Sequence, residues 1–544
     1  MFPKLDTIVL MKIKDLATDR FRWPALVVLA LSLAIVIIDN SVLNVAVPYI
    51  IRDLNTGLSS MEWVISGYAL IIATLLITVG RLGDIFGRKK ILIIGICLFA
   101  IGSFVASIAP NVSVLFLGEA FIEAIGASMM LTSSLSLIVT EFRGRERAIA
   151  FGVWGSVAGA AAALGPLLGG YFTSYYSWRW SLRINVVVAI IAILGTVFIK
   201  EAKGEQDKKG FDFIGTFLSG AGLFSLVFAL IEGQKYGWFH VNQAFQIGGW
   251  QWPISQFSII PVAFLAAAVL LAGFILWEYR LEKAGSAPLM RPSIFKNISF
   301  SVGLATVIII GLGQFGIFFI MPIYLQNVLG LNAFHTGLLF LIAALTMFVV
   351  GPITGFIASK ISPKWIVTSG MFIVAIGALV LRNALAIDAT GWTLAPGLFI
   401  FGVGTAMASA QLTNIVLSSV PQKLSGEASA INATARQVGT SVGIAILGMV
   451  LAGAITSGVQ NNVQNDSKIP PFAKAKVIES AGSTSIVGGQ LNQAEQKAPA
   501  AITGAIKRDV ESAIVDASKQ AILVAVFFIT LGGIVSMFTK KPGK

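Results

Sequence analysis

Apolar runs of about 20 residues recur from one end of this chain to the other, and each is long enough to cross a hydrocarbon layer of about 30 Å as a helix. Of the 544 residues, 56% are hydrophobic and only 12% are charged, more apolar side chain than a water-soluble core can enclose. Lipid is therefore the main solvent, and nothing along the chain reads as a soluble catalytic domain. The formal net charge of +13 would suggest nucleic acid in a soluble protein. Here the bases cluster in loops on alternate sides of the apolar runs, which is a topological signal, so no nucleic-acid partner is expected. Cys97 is the single cysteine, and His240 and His335 are the two histidines. That excludes an intrachain disulfide and leaves little for a transition-metal site, so no metal or other cofactor is expected.

Hydropathy and loop breakers place spans near residues 25–48, 62–80, 91–109, 113–138, 148–172 and 182–200, a first block of six. Two more fall near 212–232 and 256–277, separated by a Trp-bearing, Gly-rich loop. A second block of six follows near 299–325, 335–359, 365–385, 394–419, 430–455 and 519–539. The fold class is thus an all-α polytopic membrane protein of about fourteen helices. The expected division is a tail over 1–22, a six-helix bundle over 23–200 and a linker region with two extra helices over 201–297. Five helices of a second bundle over 298–456, a loop over 457–517, and the last helix and tail over 518–544 complete it.

Arg81, Arg88, Lys89 and Lys90, then Arg143, Arg145 and Arg147, then Lys200, Lys203, Lys208 and Lys209 mark loops expected to face the cytoplasm. The loops near Asn111, Gly233 and Gly330 carry almost no positive charge. Residues 1–22 show no small-residue cleavage site before the first run and read as an uncleaved cytoplasmic tail. An even span count puts Lys540, Lys541 and Lys544 on the same side, in the cell membrane. A faint internal repeat pairs Val47-Pro48-Tyr49-Ile50 with Met321-Pro322-Ile323-Tyr324, followed at similar offsets by glycine-led loops at Gly80 and Gly355. Repeated bundles that rock about a midplane site are a transporter architecture.

Residues 457–517 are too polar to enter lipid and are expected outside the cell. Within them Ile502, Ile506, Val510 and Ile514 recur every four residues beside Lys507, Arg508, Asp509 and Glu511. That stripe predicts an interfacial helix leading into the last span, with a substrate-gating role as the alternative.

Charged groups inside spans are costly and usually face a cavity or a partner. Asp39 is one. Glu119 and Glu123 lie four apart on the fourth span, hence on one face, with no base in the same helix. Close carboxylates in a low dielectric resist joint ionisation, so this group is suited to letting a proton and a cation compete for one acidic site. The alternative for Glu119 is that it only reaches the outer interface. Arg436 reads either as a snorkelling residue or as a partner for polar groups of the second bundle. Asn44, Gln314, Gln411 and Asn414 offer cavity hydrogen bonds, with polar helix packing as the alternative.

Gly80-Arg81-Leu82-Gly83-Asp84-Ile85-Phe86-Gly87-Arg88-Lys89-Lys90 resembles the signature loop of the major facilitator superfamily, G-x-L-a-D-r-x-G-r-k-x. The resemblance implies a gate latch in which Asp84 meets the start of the helix near 425–431 of the opposite bundle; a purely topogenic basic loop is the alternative. In the second copy of the loop, Ser359 stands where the acid would be. Gly165-Pro166-Leu167-Leu168-Gly169-Gly170, preceded by Gly152, Gly155 and Gly159, resembles the antiporter motif of the superfamily's fifth helix, although a generic small-residue seam would look similar up to its Gly-Pro ending. Ile38-Asp39-Asn40-Ser41-Val42-Leu43-Asn44-Val45-Ala46-Val47-Pro48 is similar to a phrase of fourteen-span drug:proton antiporters. Trp178-Arg179-Trp180, Asn185-Val186, Glu232-Gly233 with Gly237-Trp238, and Arg436-Gln437-Val438-Gly439 are similar to that group too.

The resemblance implies two six-helix bundles with two intervening helices, a monomer, and export of amphipathic, often cationic, drugs driven by the proton gradient. An exporter of lipids or lipid-like metabolites, and a non-transporting sensor of the same fold, are the alternatives. One departure stands out. The family's fourth-helix pattern R-x-x-Q-G-x-G-a-A meets Ala120 in place of its arginine and Glu123 in place of its glutamine. The resemblance gives that arginine a part in proton transfer, so its absence sets coupling here apart and makes the inferred cavity more acidic.

Overall fold

A computed structural model describes residues 21–56, 58–202, 211–247, 249–254, 256–286, 288–358, 360–466, 469–470, 474 and 500–539. Fourteen of its helices are long and apolar enough to cross a membrane. The first six are α1 (Arg22–Asp53), α2 (Leu58–Phe86), α3 (Arg88–Ser107), α4 (Val112–Glu141), α5 (Gly144–Tyr175) and α6 (Trp178–Gly195). Next come α7 (Phe213–Tyr236) and α8 (Ile259–Lys283), with a two-stranded hairpin between them, Gln246–Ile247 against Trp250–Gln251. The last six are α9 (Ile298–Asn327), α10 (Ala333–Ile357), α11 (Pro363–Ala384), α12 (Gly391–Ser418), α13 (Ser425–Asn465) and α14 (Ala500–Ser536).

Helices α1 to α4 and α6 pack mainly with one another, as do α9 and α11 to α14, while α5 and α10 make their largest contact with each other across the two groups, which also meet along α2–α13. Helix α8 packs almost wholly on α7, and α7 lies against both α2 and α13. Much of α8 therefore has no protein neighbour: Leu265, Val269 and Leu276 are each more than 60% exposed. Backbone hydrogen bonds closed within each helix let such apolar side chains face lipid without stranding a polar group.

The short loops set the two ends of the bundle. Gly87 has φ +109°, a left-handed conformation open to glycine, and turns the chain from α2 into α3. Glu201, just beyond α6, accepts hydrogen bonds from the amides of Lys89 (3.0 Å) and Lys90 (3.3 Å), placing a carboxylate on the positive end of α3. At the opposite end Trp178 Nε1 and the Arg179 guanidinium both bond Asp53, tying the start of α6 to the end of α1.

The polar stretch expected as a loop over 457–517 begins inside α13 and ends inside α14. Its apolar stripe does not lie on a membrane surface. Ile506, Val510 and Ile514 are buried in an unbroken α14, in one apolar cluster with Ile455, Val459 and Val463 of α13. Asn462 Nδ2 donates to Asp509 O at 3.1 Å, so a polar residue that reads as loop closes the pair. The expected interfacial helix is corrected on this point: a facing helix, and not lipid, covers the stripe. Ser359 and all of 475–499 lie outside the described residues.

Candidate functional site

Two places in the molecule gather the residues singled out from the sequence. The first lies inside the first bundle. One carboxylate oxygen from each of Asp39 (α1), Glu119 and Glu123 (α4) lies within 4.8 Å of the others, and all three residues are fully buried. Asn185 of α6 donates to Asp39 Oδ1 at 2.6 Å and to Ser103 Oγ of α3 at 3.1 Å. With the acids ionised, Asp39 Oδ2 and both oxygens of each glutamate have no donor, although the three carboxyls lie close enough to hydrogen-bond one another once protonated and Ser103 lies beside Glu123; among the described residues no base pairs with any of the three. The hydroxyl of Tyr68 (α2), also buried and unpartnered, sits in the field of all three acids.

Local backbone explains how both glutamates point inward. Residues Phe116–Glu123 form a π-helical segment inside α4. Its wider turn sets residues four apart more nearly above one another than in an α-helix, where they are offset by about 40°. Close approach to α3 does the rest: a Cβ on Gly102 would fall 2.5 Å from Glu123 N, and one on Gly118 would fall 2.6 Å from Ala106 N. Glu119 therefore sits in the acid cluster and does not reach an outer interface. Ala120, where the family's arginine would stand, is fully buried 3.3 Å from a Cβ built on Gly67 of α2, a contact a long side chain could not keep.

The second place is the end of the bundle that carries the basic loop. Asp84 accepts from Arg88 Nη2 at 2.7 Å and from Arg88 Nε at 3.1 Å, and both side chains are buried. Its carboxylate also abuts Gly426 in the first turn of α13, where no Cβ would fit. Gly80 touches the same helix, since a Cβ there would lie 2.6 Å from that of Ala430. On α13, Glu427 accepts from the Arg291 amide at 3.1 Å and faces its Nε at 3.7 Å. The adjacent Met290 amide donates to the buried Glu278 of α8 at 3.3 Å. Two consecutive peptides thus join the extra helices to the contact between bundles, a link the sequence did not signal.

The antiporter-motif glycines divide between two seams. Gly165 meets Ser41, and Gly169 meets Val42 of α1, whereas Gly159 meets Met347 and Gly170 meets Phe334 of α10, in the other bundle. Pro166 lies against Gly337 of α10, and Gly152 crosses Gly351 so closely that an added Cβ would fall 2.5 Å from its carbonyl oxygen. Of the remaining polar residues, Gln314 and Arg436 line one small cavity. Gln411 and Asn414 are buried elsewhere: Gln411 Nε2 donates to Ala148 O of α5 at 3.3 Å, and Asn414 donates to Gln411 at 3.4 Å. The side chain of Asn44 lies outside those described. Asn185, Ser103 and Tyr68 carry no sequence signal for the acid site beyond polarity in the middle of an apolar span, apart from the family-like phrase that holds Asn185.

Known proteins bear on this architecture. A model of the major facilitator superfamily matches residues 29–239 and 212–444. The tetracenomycin C resistance and export protein of Streptomyces glaucescens is 29% identical over 525 residues, covering 95% of this chain and 92% of that protein. The puromycin resistance protein of Streptomyces alboniger is 31% identical over 446 residues, covering 80% and 83%. Multidrug resistance protein Stp of Mycobacterium tuberculosis is 26% identical over 514 residues, covering 93% and 90%. Among solved structures, the human organic anion transporter TETRAN superposes with a TM-score of 0.54 at 11% identity, covering 94% of this chain and 99% of that one. A proton:xylose symporter gives 0.53 at 14%, covering 94% and 95%. These two likenesses speak to the fold. With two six-helix bundles meeting along α5–α10 and α2–α13, two further helices between them in sequence, and a family match over most of its length, the chain belongs to the major facilitator superfamily, a family of membrane transporters.

Proposed function

We propose that this protein exports amphipathic, cationic drugs across the cell membrane in exchange for protons, with both termini on the cytoplasmic side. The observation that carries the reading is the acid cluster: three carboxyl groups, five of their six oxygens without a donor when ionised, and, among the described residues, no base paired with them. Three such groups cannot all be ionised in a low dielectric without a cation among them. Protons shared across the cluster satisfy it in one state, and a cationic substrate in another. Competition for one charge deficit is a sufficient coupling device, and it needs no arginine at Ala120. The names of the relatives, which include drug resistance and export proteins, support export as the direction.

On this reading Asp84 and Arg88 hold the cytoplasmic side shut by packing the end of α2 onto the start of α13. Rocking the bundles along the small-residue seam of α5 and α10 would break that contact and open the inner side. The test is efflux across a panel of dyes and quaternary ammonium compounds in everted vesicles, with and without a proton uncoupler. Cations should be transported and should stop moving when the gradient collapses. Transport that ignores the uncoupler overturns the antiport reading.

A further inference from the structure

The second bundle holds an isolated charge of the opposite sign. Arg436 lies roughly three turns into α13. It does not snorkel: Nη2 donates to Thr413 Oγ1 of α12 at 3.0 Å, and the guanidinium sits 5.7 Å from the ring centroid of Trp154 on α5, across the contact between bundles. Among the described residues no carboxylate pairs with it, and Nε and Nη1 make no hydrogen bond. Arg436 lines a small cavity together with Gln314, Ser409, Gly311 and Leu412.

The surroundings hold further buried polar groups without partners. Trp154 Nε1 is buried without a partner. Asn432, one turn before Arg436 on the same helix, is fully buried with both polar atoms unpartnered. The Gln314 oxygen is already taken by Ser409 (3.3 Å), and its amide donates to Thr405 (3.0 Å). An unpaired guanidinium and an unsatisfied indole N–H inside a membrane span are costly, and are kept where a ligand completes them. A planar fork with donors to spare suits an oxyanion, and the Trp154 indole face already beneath the guanidinium holds it in place from the other bundle.

We propose that Arg436, with Trp154 and Asn432, forms a subsite for an anionic oxygen group of the transported molecule, such as a carboxylate, phenolate or sulfonate. This rests on the export reading above and narrows its substrate class to amphiphiles that carry an oxyanion as well as a cationic amine. The amine goes to the acids of the first bundle and the oxyanion to the second. Because Arg436 and Trp154 belong to different bundles, a group bound there touches both halves of the transporter.

Two dyes with the same cationic xanthylium test it: rhodamine B, which carries a free carboxylate, and its methyl ester, in which that carboxylate is capped. Binding to the purified full-length protein is read by fluorescence polarisation. The wild type should favour the acid over the ester by about tenfold, the size expected for a charge-assisted hydrogen bond. Arg436→Gln should erase that ratio and Arg436→Lys should keep part of it. A wild type that does not distinguish the dyes overturns the subsite, as does an Arg436→Gln ratio that stays the same, whether both affinities fall together or neither does. Uncoupler-sensitive export of the ester with no preference for the acid removes the subsite and leaves the export reading standing. Binding and export of neither dye contradicts both.

Discussion

At the scale of single residues, the acid cluster shows which charges a sequence can reveal in a membrane protein. Asp39, Glu119 and Glu123 are legible because a carboxylate in an apolar run must have a reason to be there. Their partners are not legible in the same way. Asn185, Ser103 and Tyr68 reach the cluster from α6, α3 and α2, and polar residues of that size in a span serve equally well as helix packing until the rotation of each helix is known. Neutral isosteres give the first prediction. Glu123→Gln or Asp39→Asn should lower proton-driven efflux of an organic cation by at least about tenfold, the factor for roughly 1.4 kcal/mol, while the protein still inserts and purifies normally. Efflux assays beside a membrane-fraction blot check both halves.

A smaller effect is expected at the far end of α1, where the Arg179 guanidinium and the Trp178 indole hold the Asp53 carboxyl below its usual range. A carboxyl depressed in the folded state stabilises the fold above its unfolded pKa of about 3.9, and that contribution is lost as pH falls through the folded value. Asp53 is half exposed, so solvent screens the pair, and Asp53→Asn should cost less than about 1 kcal/mol. Thermal melts of the variant and wild type should differ at pH 7 and draw together as acid takes the pH below the folded value. A gap that persists in acid would mean that the contact is not electrostatic.

Among the elements, the spans followed from hydropathy because lipid imposes a length and a composition on each. Two features did not. The π-helical turn of α4 has no hydropathy signature, since it changes which way Glu119 and Glu123 face without changing any residue type. The end of α13 and the start of α14 read as loop because Asn461, Asn462 and Gln464 are polar, yet Val459 and Val463 on one face pack with Ile506 and Val510. Both cases turn on side-chain direction, which depends on a neighbouring helix. Gly102→Val should force α3 away from Glu123, with an overpacking cost of about 1–3 kcal/mol and a loss of efflux out of proportion to the fall in melting temperature. Val510→Asp should lower the melting temperature through a buried unpaired charge and spare the export of any protein that remains folded. Together these separate the segment that shapes the site from the segment that braces the fold.

For the whole molecule, the two bundles meet at the basic-loop end through Gly80, Asp84, Arg88 and the first turn of α13, a contact that the loop's resemblance implied down to the helix it touches. The tie through Met290 and Arg291 to Glu278 and Glu427 was hidden, because it joins residues distant in sequence through backbone amides. Asp84→Asn keeps the shape and leaves Arg88 buried without its counter-charge, a loss of about 3–5 kcal/mol at that contact. Turnover should fall by at least about tenfold while dye affinity changes little, a split that vesicle kinetics and equilibrium binding can measure.

The central claim is that proton and substrate share the Asp39, Glu119 and Glu123 cluster. Proton release from purified protein, followed with a pH dye in weakly buffered solution as an organic cation is added, tests it most directly. Addition of a cation to the wild type should release protons in step with binding, and Glu123→Gln should release fewer. Saturable binding of the cation with no proton release would contradict the account.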